Sequence, residues 1–133
     1  MTTRESNNEN SSIWGLVTWF PEQAPSGCHP DDIEITTELS PYCKVFELVS
    51  KNEDYLTVRY QETHIRISPE CFKRINAPGK SFGSLVSIKS SNGSIHSGTI
   101  TDIIWHWKNN EPFFLLTIDG KRKSKRYYES DFI

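Results

Sequence analysis

The sequence predicts an all-β protein made of two small antiparallel barrels packed together. Apolar residues come in short runs, several of them alternating with polar ones. Gly, Pro, Asn and Asp break the chain every ten or so residues, and helical periodicity is almost absent. At 133 residues and 15.4 kDa the chain holds one domain or two very small ones. Fifteen Lys and Arg stand against seventeen Asp and Glu, a net charge of −2, which excludes a general DNA packager that works by bulk charge. Sixteen aromatics supply the buried area that a modest apolar fraction would otherwise lack.

Residues 1–12 hold nothing beyond Met1 that could anchor a core, and are expected to form a disordered tail. The run from Ile13 to Phe20 is rich in aromatic and β-branched types and reads as the first strand of a barrel spanning 13–76. Three prolines and a glycine between Pro21 and Asp32 then impose a structured loop. From Asp31 to Pro41, Ile33, Ile35 and Leu39 fit a short strand, while Asp31 with Glu34 could equally open a helical turn; the strand is the reading adopted. A meander follows through Cys43 to Val49, Tyr55 to Tyr60 and Thr63 to Ile67, and Ser68-Pro69 caps a tight turn that returns Phe72 to the core. Ala77-Pro78-Gly79 connects to a second barrel over 80–133. There, Phe82 to Lys89 is a strand, Ser94 to Trp107 a long strand that Gly98 kinks, and Phe113 to Ile118 a third. Asp119-Gly120 then turns into a polar strand through Tyr128, and Glu129 to Phe132 makes a closing turn.

A shift of 60 positions lays Leu56-Thr-Val on Leu116-Thr-Ile, Arg66 on Arg126 and Phe72 on Phe132, so the halves share a layout. In the second half Leu85-Val-Ser-Ile-Lys, Gly98-Thr-Ile-Thr-Asp-Ile-Ile-Trp, Phe114-Leu-Leu-Thr-Ile and Arg126-Tyr-Tyr-Glu-Ser-Asp-Phe are similar to the strand, bulged strand, strand and 3₁₀-closed last strand of the SH3-like barrel superfamily. The resemblance covers about 52 residues well and the first half loosely. It implies tandem SH3-like barrels and almost nothing about function. Barrels near 60 residues bury only about 60 % of their unfolded surface alone and are expected to pack on each other, with Trp14, Trp19, Trp105 and Trp107 filling the cores and the seam.

No signature of catalysis is present. Cys28, Cys43 and Cys71 lack a CxxC spacing, only Cys28 adjoins a histidine, and Gly79, Gly83 and Gly93 are too far apart for a phosphate loop. The expectation is a non-enzyme without cofactor or metal. Nothing in it resembles a signal peptide or an apolar stretch of membrane-spanning length, and a reducing bacterial cytoplasm is the expected location.

Charge is unevenly distributed. Met1 to Gly79 carries seven basic and twelve acidic residues, net −5, whereas Lys80 to Ile133 carries eight and five, net +3. Size, acidic balance and the absence of catalytic motifs resemble the compact β-rich immunity proteins that block bacterial toxins. That resemblance implies a protein partner, a cognate toxin whose basic cleft is covered by Glu22, Asp31 and Asp32 together with Trp105, His106 and Trp107. The alternative is a nucleic-acid module that places Lys121, Arg122, Lys123, Lys125 and Arg126 on phosphates and stacks Tyr127 or a tryptophan on bases.

Overall fold

The computed structural model of the protein describes residues 12–18 and 27–133. The all-β class holds: the strands form two antiparallel sheets, one in each of two compact units that divide between Ala77 and Pro78. The expected tail lies outside the described residues except for Ser12, as do Trp19, Phe20 and residues 21–26 of the following loop.

In the first unit β1 (Trp14–Val17), β2 (Val45–Lys51), β3 (Leu56–Tyr60), β4 (Thr63–Ile67) and β5 (Phe72–Ile75) assemble in the order β4-β3-β2-β1-β5. Asn52 sets the β2–β3 turn by accepting the N–H groups of Asp54 and Tyr55 on its side-chain oxygen, both at 2.8 Å. β1 sits between β2 and β5, and Gly15 is what lets the ring of Phe72 lie against it: a Cβ there would fall 2.5 Å from the Phe72 ring and 2.6 Å from the Lys73 carbonyl oxygen. Val58 pairs with Ile65 and Leu56 with Ile67, and the Phe46 and Tyr60 rings meet at 5.6 Å in the core.

The strand expected between Asp31 and Pro41 is instead helical. A 3₁₀ turn over Pro30–Asp32 leads into α1 (Ile33–Leu39). His29 accepts the Asp31 N–H on Nδ1 at 3.0 Å, and Ser40 closes the helix in the left-handed region at φ 57°. Tertiary contact decides the outcome against β-branched propensity: Thr36 is fully buried, and Asp32, just ahead of the helix, is held by Arg66 of β4.

The second unit repeats the plan. β6 (Leu85–Lys89), β7 (Ile95–His106), β8 (Glu111–Ile118) and the short β9 (Lys121–Arg122) form the order β6-β7-β8-β9. In each unit the chain meanders and makes a 3₁₀ turn, Pro69–Cys71 or Glu129–Asp131. The phenylalanine that follows each turn then pairs with the unit's first strand: Phe72 with Val17, and Phe132 with Ile88. The 60-residue offset thus aligns the two closing turns residue for residue. The irregularity in β7 falls between Ile100 and Asp102, at Thr101, and not at the expected Gly98, which stays in register opposite Val86. Phe114 and Leu116 point into the core, where Phe114 meets Phe132 at 5.4 Å.

Candidate functional site

The expected polar strand through Tyr128 stops early, and its departure from the sheet builds a groove. β9 pairs Thr117 with Arg122, Lys123 donates its N–H to Leu116, and Tyr127 exchanges both backbone hydrogen bonds with Phe114. Three residues, Ser124, Lys125 and Arg126, therefore stand opposite the single Leu115. No side chain in this segment is apolar, so nothing draws it back onto the sheet, and it bows outward.

The bowed segment and the sheet enclose an open groove of about 350 Å³ lined by Ile104, Phe113, Leu115, Arg122, Lys123, Ser124 and Arg126. Its floor follows from strand parity. Phe114 and Leu116 occupy the core face, so Phe113 and Leu115 occupy the other, and the β7 partner of Phe113, Ile104, lies beside them.

The rim is cationic and partly fixed. Arg122 donates from Nε and Nη2 to Oδ2 of the buried Asp102 at 2.9 and 2.7 Å, which orients the guanidinium while offsetting its charge. The Arg126 guanidinium lies 4.6 Å from the Phe113 ring centroid, and its side chain is otherwise exposed. His106, Phe113 and Tyr128 form an aromatic cluster at this end, with centroids 6.2 to 6.4 Å apart. His106 is held by accepting the Asn109 N–H on Nδ1 at 3.1 Å.

Of the residues suggested for nucleic acid, Arg122, Lys123 and Arg126 converge on the groove. Lys121 is exposed on β9, and Lys125 reaches over the Tyr127 ring at 5.1 Å. Tyr127 must be withdrawn as a stacking residue, because it is 8 % exposed and its ring packs on Phe132. The residues suggested for a toxin partner fall in different parts of the chain. Glu22 lies outside the described residues, and Asp31 and Asp32 belong to the first unit while Trp105, His106 and Trp107 belong to the second.

Asp32 is engaged: its Oδ2 accepts from the Arg66 backbone N–H and Nε, and its Oδ1 from Nη2, all within 3.0 Å. The Arg66 guanidinium holds the carboxyl below the usual carboxylate range. In the second unit the three aromatics divide between faces, His106 on the groove side and Trp105, T-shaped against Trp107, on the other. The indoles are not all interior either, since Trp107 is 55 % exposed.

The described residues include no group of three or more His, Cys, Asp or Glu that could hold a metal, and no helix long and apolar enough to cross a membrane. Burial pushes the thiols of Cys28 and Cys71 up, away from the thiolate form.

The floor residues Ile104, Phe113 and Leu115 were missed by sequence reasoning, although a signal existed. Phe113-Phe114-Leu115-Leu116 puts apolar groups on both faces of a strand, and one face already fills a core.

Fold and groove together define a small two-sheet β-protein with a cation-rimmed groove on its second unit. The chain belongs to the family of unknown function DUF6960, whose model matches residues 7–133. Neither a curated protein nor a solved structure matches it.

Proposed function

We propose that this chain is a nucleic-acid-binding protein of tandem SH3-like design that grips its ligand on the groove of the second unit. The observation that carries the reading is the three-against-one bow of Ser124, Lys125 and Arg126, which sets Lys123 and Arg126 around a concave surface on a unit of net charge +3. Repeated phosphates suit a run of five cations in six residues, and phosphate contact supplies most of the affinity in sequence-independent binding. The shared strand order and closing turn of the two units support the SH3-like assignment, and the odd number of cysteines, three, suits a reducing cytoplasm.

The test is fluorescence anisotropy of labelled oligonucleotides with the full chain at about 50 mM salt. Binding that weakens with salt, and falls at least fivefold in the double variant Lys123→Ala with Arg126→Ala, is the expected result. No binding of any oligonucleotide would overturn the reading.

The toxin-antagonist reading keeps one favourable observation. Asp31, Glu34 and Glu38 are exposed on and just before α1 beside exposed Ile35 and Tyr42, a composition that suits a basic protein. Co-purification with a toxin encoded beside this chain would favour it, with the complex lost in Glu34→Lys with Glu38→Lys.

A further inference from the structure

We propose that the groove seats an unpaired base, stacked on the Arg126 guanidinium, so that the protein selects single strands over duplexes. The inference rests on the nucleic-acid reading above and adds which form of nucleic acid is bound and how.

Phosphates alone do not account for the floor. Ile104, Phe113 and Leu115 offer no hydrogen-bonding side chain, and a surface that served only to hold phosphates would gain nothing from burying them. A duplex keeps its base faces inside the stack and shows a protein only backbone and base edges. An unstacked nucleotide offers what the groove lacks, a flat apolar ring joined to an anion. The groove volume of about 350 Å³ is at the small end of the range for ligand pockets, about 300–1,000 Å³, and so suits one nucleotide.

Arg126 explains where the ring goes. Its guanidinium lies over Phe113 at 4.6 Å, and Phe113, packed also by His106 and Tyr128, is only 7 % exposed, so a base cannot reach that aromatic face directly. The other side of Arg126 is exposed, and a guanidinium plane is itself a stacking platform for bases. The base would thus extend a Phe113–Arg126 pile, with Leu115 beneath its edge. Ser124 and Lys123 at the rim supply a hydroxyl and an ammonium for its polar edge and its phosphate. Arg122 remains with Asp102 and shapes the wall.

Arg126→Lys keeps the charge and removes the plane. Three probes of equal length serve the experiment: a single-stranded DNA, the blunt duplex of the same sequence, and a strand of abasic phosphodiesters. Poly-glutamate serves as an anionic peptide control. The full chain is expected to prefer the base-bearing single strand about fivefold or more over each of the other probes. Arg126→Lys should weaken that strand by a similar factor while leaving the abasic strand unchanged. Leu115→Gln, which makes the floor polar without changing the charge, should reproduce the selective loss.

Equal affinity for single strand, duplex and abasic strand would overturn the inference and leave the nucleic-acid reading standing. Binding to none of the three would remove both. Poly-glutamate bound as tightly as the base-bearing strand would also overturn it, because charge alone would then suffice.

Discussion

Asp32 makes three hydrogen bonds to one residue 34 positions away, joining the start of α1 to β4. Removing its charge leaves the Arg66 guanidinium without its carboxylate, and because Arg66 is 39 % exposed the loss is reduced by solvent. Asp32→Asn should cost about 1–2 kcal/mol at neutral pH, read from the urea midpoint. The dependence on pH follows from the depressed folded-state value. The contribution is complete above the ordinary aspartate range near 3.9 and is lost as pH falls through the lower folded value, so wild type and variant should converge in acid. A stability gap that persists below that window would show that Asp32 acts through packing and not through charge. Gly15→Ala tests a different residue-scale constraint, because one of the atoms it would meet, the Lys73 carbonyl oxygen, belongs to the backbone and cannot swing aside. It should cost about 1–3 kcal/mol and lower Tm by several degrees, whereas an unchanged Tm would mean that Phe72 and β5 shift freely.

At the scale of elements, the bow between Lys123 and Tyr127 is a register device, and it can be undone without touching the core. Deleting Ser124 and Lys125 together preserves the inside-outside alternation. Arg126 would then face Leu115 directly, and the strand would continue to Tyr127. Circular dichroism and the melting transition should stay at wild-type values while oligonucleotide affinity drops at least tenfold. A deletion variant that folds and still binds would place the ligand elsewhere. Such a bow cannot be read from Lys121-Arg-Lys-Ser-Lys-Arg, where no apolar side chain marks which face is which. The meander was legible for the opposite reason: Val58 and Tyr60, Ile65 and Ile67 alternate with polar neighbours and leave one register possible. α1 was misread because Ile33, Ile35 and Leu39 carry a strand-like composition, while the contact that fixes the helix, Asp32 with Arg66, is long-range. Three of the cations at the site were visible as a charge run, but its apolar floor appears only once Phe114 and Leu116 are known to face inward.

For the whole molecule, a formal charge of −2 conceals a first unit at −5 and a second at +3. A chain judged by its pI of about 6.1 would be dismissed as a nucleic-acid binder, yet charges separated by more than a Debye length, about 8–10 Å at 0.1–0.15 M salt, interact weakly across water. A phosphate in the groove meets Lys123 and Arg126 at short range, while the charge of Arg122 is offset by Asp102. This fixes an expected salt dependence. Two phosphate contacts on a single strand give a slope of log K against log salt of about −1.4, or roughly a 7-fold loss of affinity between about 50 and 200 mM. Replacing Lys123 and Arg126 by alanine should bring the slope close to zero, alongside the weaker binding. Anisotropy titrations at four salt concentrations measure both quantities on the same samples. A slope that stayed at about −1.4 in the double variant would mean that the counterions are released from some other surface, and that the groove does not carry the phosphates.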